Sequence, residues 1–265
     1  MNLKYAGYLT TLKHEPSNPV SYFASLGEET ISLNELLGNS IELNFLDEIV
    51  CIYCGRKLKK SSRNNACYVC STTLPENDLC IVKPEMCHFH VGTCRDDQFG
   101  QKHCMQSHIV YLALSNDVKV GITRKTNMLK RWIDQGAVRA IPFLEVPSRK
   151  TSGEIEVHLA QFIKDKTNWR KMLKNEIVDV DLFQVRSELI ERVPPEFQSY
   201  IIADPQLYEF TYPHLSVPEK INSLSLDKQP KVTGKLIGIK GQYLILESGV
   251  FNMRKHAGYK VEVQI

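Results

Sequence analysis

The sequence predicts an α+β protein built around a cysteine-rich, metal-binding segment. Three observations lead there. All eight cysteines lie between Cys51 and Cys104, short alternating apolar stretches occupy both ends of the chain, and a hairpin followed by two amphipathic helices fills the middle. With 265 residues, 43% of them apolar and 24% charged, the chain can bury one large core or two to three small ones, and it lacks the charge excess of a disordered polymer.

At the N-terminal end, residues 5–12 and 41–45 read as β on either side of a turn-rich stretch with Pro16, Pro19 and Gly27. The far end behaves likewise. Residues 232–239, 242–247, 250–254 and 259–265 form a β-meander, punctuated by Lys240-Gly241 and Ser248-Gly249. Neither end can close a large sheet alone, so the two are expected to pair into a small sheet or barrel. The expected organisation is an N-terminal β segment over 1–50, a zinc-ribbon segment over 51–107, an α/β core over 108–190, and over 191–265 a proline-punctuated connection leading to the meander. The connection carries Pro194, Pro195, Pro205, Pro213 and Pro218.

No apolar run approaches the roughly 18 residues of a membrane helix, and residues 1–8 lack the pattern of a secretory leader, so a cytoplasmic protein with no membrane partner is expected. In a reducing compartment clustered cysteines more often hold metal than form disulfides. Cys51-Ile52-Tyr53-Cys54 and Cys67-Tyr68-Val69-Cys70 are Cys-x-x-Cys pairs separated by twelve residues, which lets two tight turns present four thiolates tetrahedrally to zinc, with Gly55 suited to the turn. Free buried thiols or a redox pair are the alternatives. Cys80, Cys87, Cys94 and Cys104 form a second candidate set. There His88, His90 or His103 could replace a cysteine, and the two sets could interleave. One or two zinc ions are expected, as scaffold rather than catalyst, because an all-thiolate site leaves no open coordination position. Arg56, Lys57, Lys59, Lys60 and Arg63 crowd the loop between the pairs, where they could track a phosphate backbone or simply be solvated.

In the middle, residues 109–114 are a continuous apolar strand, Ser115-Asn116-Asp117 a turn, and residues 118–122 a second strand. Met128, Leu129, Trp132 and Ile133 recur at helical spacing behind Asn127, a candidate cap. A second helix is expected from about Gly153, with Ile155, Leu159, Phe162 and Ile163 along its buried stripe. Thr151-Ser152-Gly153-Glu154 fits a capping box. Glu156 flanks the stripe, where its carboxylate faces either a cleft or solvent.

The order of a strand with Tyr111, a turn, a strand ending in Lys119-Val120-Gly121-Ile122-Thr123, a helix with Arg131 and a helix with Glu156 resembles the GIY-YIG nuclease superfamily over about 60 to 80 residues, in particular a branch with a Lys-Ile-Gly-x-Thr second motif. The chain departs from that pattern at His108-Ile109-Val110, where a Gly-Ile-Tyr triplet is usual, and at Lys119, which replaces a tyrosine. The wider string, through Arg131-Trp132-Ile133-Asp134-Gln135-Gly136-Ala137 and Lys166-Thr167-Asn168-Trp169-Arg170, resembles an uncharacterised bacterial family. The nuclease resemblance implies that Tyr111 helps deprotonate the attacking water, that Arg131 stabilises phosphate charge, and that Glu156 or Glu154 holds Mg²⁺ or Mn²⁺.

Eight basic against two acidic side chains lie between Lys119 and Lys150, an excess larger than the +3 of the whole chain. Lys119, Arg124, Lys125, Lys130, Arg139 and Arg149 are therefore candidate nucleic-acid contacts, and DNA or RNA is the expected partner. A binding module without chemistry, or a protein-interaction subunit offering a sheet edge to a partner, are the competing expectations.

Overall fold

The computed structural model describes residues 3–163 and 166–265, with the side chain of Arg63 outside the described set. Its mixed sheets and helices divide into two compact units, one of Met1–Ser71 with Phe210–Ile265, the other of Thr72–Glu209. In chain order the strands and helices of the first half are β1 (Lys4–Tyr8), β2 (Lys13–Glu15), β3 (Ser21–Leu26), β4 (Glu29–Ser32), β5 (Ser40–Val50), β6 (Lys57–Leu58), α1 (Tyr68–Thr73), α2 (Asp97–His103), β7 (His108–Leu114), β8 (Val118–Arg124) and α3 (Met128–Asp134). The second half adds β9 (Arg139–Val146), α4 (Arg149–Leu159), α5 (Trp169–Leu173), α6 (Leu182–Ile190), β10 (Tyr208–Glu209), β11 (Ser223–Leu224), β12 (Lys231–Lys240), β13 (Tyr243–Leu246), β14 (Gly249–Asn252) and β15 (Tyr259–Gln264).

In the first unit the two ends of the chain share one sheet. β15 lies between β1 and β5, antiparallel to both, and the order continues through β12, β13, β14 and β11, with β6 paired to β5. β12 is long enough to serve two neighbours: Lys231–Lys235 face β5, and past them the strand pairs with β13 across a bulge between Leu236 and Gly238. The turn-rich stretch of the N-terminal β segment forms a second sheet, β2-β3-β4. Its β3 alternates half-buried and buried residues, with Tyr22, Ala24 and Leu26 inward. Gly27, at φ +62°, makes the turn between β3 and β4.

In the second unit β7 runs down the middle of a four-stranded sheet ordered β10-β9-β7-β8. All seven β7 residues are buried, which is why its sequence is apolar without alternation. Helices α4 and α6 pack on it, closing a core of Val110, Leu112, Val120, Phe143, Ile155 and Leu189 among others. The register sets Tyr111 opposite Gly121 on β8 and Pro142 on β9, where the ladder shifts by one residue.

The helix starts differ from the sequence expectation. Asn127 precedes α3 but its side chain makes no capping bond. Helix α4 begins four residues before Gly153 and is capped by Ser148, whose hydroxyl accepts the Thr151 N–H at 3.1 Å, so the capping box expected over 151–154 is not the one used. Helix α4 also ends at Leu159, leaving Phe162 and Ile163 beyond it. No helix among the described residues is long and apolar enough to cross a membrane.

Candidate metal centre and core cluster

Strand β5 delivers the chain into the first Cys-x-x-Cys turn, where Gly55, at φ +72°, returns its N–H to the Cys51 carbonyl at 2.9 Å. The second turn opens α1, whose Cys70 N–H points at the Cys67 sulfur, 3.4 Å away. The sulfurs of Cys51, Cys54, Cys67 and Cys70 all lie within 4.8 Å of one another. Cys54 and Cys67 are 3.8 Å apart, the edge of a tetrahedron with zinc–sulfur bonds of about 2.3 Å. These four cysteines can hold a zinc ion, and the pairing is sequential rather than interleaved.

Electrostatics fit that assignment. Burial pushes the Cys51 thiol up, but the amide groups of Cys67, Cys54 and Tyr53 outweigh it and hold Cys51 down to about 6. Burial and the neighbouring sulfurs push Cys70 up to about 12. Four sulfurs at this separation cannot all ionise unless a cation joins them. Arg56, Lys57, Lys59 and Lys60 stand exposed on the adjoining loop, Lys57 paired with Glu48 at 2.8 Å, and Tyr68, next to Cys67, is exposed.

Cys80, Cys87 and Cys104 form a buried cluster with Phe89 and Phe99. Cys94, the more exposed member, lines the same small cavity. The donors within 4.8 Å of one another here are Asp78, Cys80 and His88, so the expected four-sulfur set is not drawn together as tightly as the first. His103 accepts an Arg124 N–H at 2.6 Å, and His90 lies 3.2 Å from the Lys150 ammonium.

Around Tyr111 the structure brings Gln135 and Arg131 close, with Glu156 near enough to be felt electrostatically. Tyr111, wholly buried in β7, donates to Gln135 Oε1 at 2.9 Å and accepts a hydrogen bond from Arg131 of α3, while the Glu156 carboxylate of α4 is near enough to oppose its ionisation. Burial is the largest influence and pushes the phenol above its ordinary value, so Tyr111 stays protonated at neutral pH. Arg131 is half-buried and its Nε is enclosed without a hydrogen-bond partner among the described residues. Gln135, one turn beyond Arg131 on the same face, was not singled out; that i, i+4 spacing is the signal that finds it.

The other basic residues are spread over different roles. Lys119 is buried. Lys125 binds Glu145 at 2.8 Å, Lys130 binds Asp134 at 2.9 Å, and Arg139 is half-buried on β9. Arg149 donates to the Ile81 carbonyl at 2.6 Å. Glu154 is exposed on α4, 3.9 Å from Lys150.

A family model described as a protein of unknown function, DUF2797, matches residues 38–261. The chain belongs to that family. The match runs through the four-cysteine centre, the core sheet and most of the terminal sheet, so all three are parts of the DUF2797 unit. No curated protein and no solved structure matches the chain.

Proposed function

We propose that this DUF2797 protein is a zinc-scaffolded nucleic-acid-binding protein whose core, resembling the GIY-YIG nucleases, holds a phosphodiester on Arg131 and hydrolyses it with a divalent cation. The reading is supported by the influence that Arg131 of α3 and Glu156 of α4 both exert on the ionisation of Tyr111 in β7. The half-buried Arg131 guanidinium could donate to a phosphate oxygen, and the Glu156 carboxylate could hold Mg²⁺ or Mn²⁺. Glu154, exposed and facing Lys150, is the weaker choice for the cation.

Tyr111 needs a different role from the one its motif position implies. A buried phenol with a raised pKa is a poor base, so it serves here to hold Arg131 and Gln135 in place. Zinc on Cys51, Cys54, Cys67 and Cys70 would fix the loop carrying Arg56, Lys57, Lys59 and Lys60, whose charges could meet phosphates.

The same burial of Tyr111 favours a second reading, in which the fold binds DNA or RNA without cutting it. Incubation of end-labelled DNA and RNA, single- and double-stranded, with purified protein and Mg²⁺ or Mn²⁺ separates the two. The hydrolytic reading expects cleavage that Arg131→Ala and Glu156→Gln each abolish. Intact polymer with both metals, alongside retained binding, leaves the binding module.

A further inference from the structure

The stretch from Leu74 to Ser107 has almost no hydrocarbon interior. Its buried residues are Cys80, Pro84, Cys87, Gly100 and Cys104, whereas Leu79, Val82, Met86 and Val91 are each about half exposed or more. Apart from α2 it holds its shape with single turns of 3-10 helix, at Pro75–Asn77, Leu79–Ile81, Pro84–Met86 and Phe89–Val91. So little apolar burial cannot order some thirty residues without a cross-link. All four cysteines of the stretch are free thiols rather than disulfides. They line one cavity with room for about one water-sized sphere, ≈ 10 Å³. Cys104 interacts with Cys87 and Cys94, and Cys80 with Cys87 and Cys104.

We infer that this stretch is a second zinc centre, with Cys80, Cys87, Cys94 and Cys104 as its four ligands. Of the three histidines that could compete, His88 is the candidate, with a ring nitrogen within 4.8 Å of both the Asp78 carboxylate and the Cys80 sulfur. His88 Nδ1 meets the Thr93 hydroxyl at 2.8 Å, and its Nε2 faces Asp78, whose carboxylate also takes the Cys80 N–H and the Arg95 guanidinium. His103 and His90 are turned to Arg124 and Lys150.

Binding is a simple exchange: four thiols release four protons as Zn²⁺ forms four zinc–sulfur bonds, leaving a centre of net charge −2. The structure supplies a counter-charge. Part-buried Arg149 lies close enough to feel Cys104, Cys80 and Cys87, and its guanidinium donates to the carbonyls of Cys80 and Ile81. The Arg149 N–H donates to the Cys104 carbonyl at 2.8 Å, and a Cβ at Gly153 would lie 2.5 Å from the Glu85 nitrogen. The first turns of α4 are therefore bolted to the cysteine stretch. The metal centre is independent of the nucleic-acid reading; only the importance of its grip on the helix that carries Glu156 rests on that reading.

The test is zinc content of the full chain, by elemental analysis and native mass spectrometry. Two zinc ions per chain are expected, falling to one in Cys94→Ser and staying at two in His88→Ala. One zinc in the wild-type protein would overturn the inference, as would a loss in His88→Ala with none in Cys94→Ser. Wild-type protein loaded with Co²⁺ needs no substitution: sulfur-to-cobalt charge-transfer intensity for eight thiolates is expected, and intensity for four would contradict it. None of these readouts depends on nucleic acid, so their failure is distinct from failure of the proposed function.

Discussion

The Tyr111 hydroxyl fills the space where a side chain at position 121 would begin: a Cβ built on Gly121 lies 2.6 Å from the phenolic oxygen and 2.7 Å from the ring carbon that bears it. The two residues face each other across the β7–β8 ladder, so the glycine in the middle of β8 is required by the tyrosine on β7. Tyr111 cannot yield, being wholly buried and bonded to Gln135. Gly121→Ala should therefore cost about 1–3 kcal/mol by overpacking, measured by chemical denaturation, and disturb Arg131 at the same time.

Cys54→Ser tests the first metal centre with the least damage, because Cys54 is the exposed member of that set. The variant should lose one zinc ion per chain and unfold at a lower temperature. Zinc retention at the wild-type level would show that the four sulfurs do not act together.

His108 makes acid a specific stress. Burial, then the repulsion of Arg149 and Arg124, hold its pKa down to about 4, against an ordinary value of 6.5, while its bond to the Gln106 carbonyl opposes them. Above pH 6.5 the imidazole is neutral in both folded and unfolded chains and adds no pH dependence. Between 6.5 and about 4 only the unfolded chain takes up the proton, so stability falls with pH by up to about 3 kcal/mol. Buried His256, also lowered by burial, acts in the same direction. Denaturation midpoints across this window should show the loss, and His108→Leu should flatten it.

At the start of α4, Ser148 and Glu154 make opposite forecasts. Ser148→Ala removes the capping bond to Thr151 and should cost about 1 kcal/mol. Glu154→Gln touches only an exposed pair with Lys150 and should cost close to nothing. Equal losses would restore the capping box that the sequence suggests.

Where the chain's chemistry is local, sequence was enough. The spacing of Cys51, Cys54, Cys67 and Cys70 foretells their convergence because two tight turns can present four sulfurs in few ways. The apolar run of β7 and the strands of the terminal meander were readable for the same reason: burial on two faces or on one leaves its period in the residues. What sequence hides is competition between nearby partners. Ser148 caps α4 although Thr151 also carries a hydroxyl at the helix start, and the neighbouring Arg149 is held on the Ile81 carbonyl, a long-range contact that no local pattern reveals. Lys119 and Arg149 look like solvated charges in a basic run, yet one is buried in a strand and the other binds carbonyls of the cysteine stretch.

The most direct measurement is the equilibrium affinity of the wild-type protein and Arg131→Ala for fluorescent DNA and RNA oligonucleotides over a range of salt. Wild-type protein should bind with an affinity that falls steeply as salt rises, and Arg131→Ala should bind more weakly with a log–log slope smaller by about one, the signature of one lost phosphate contact. No binding of either polymer at low salt, or identical slopes for the two proteins, would contradict a phosphodiester held on Arg131.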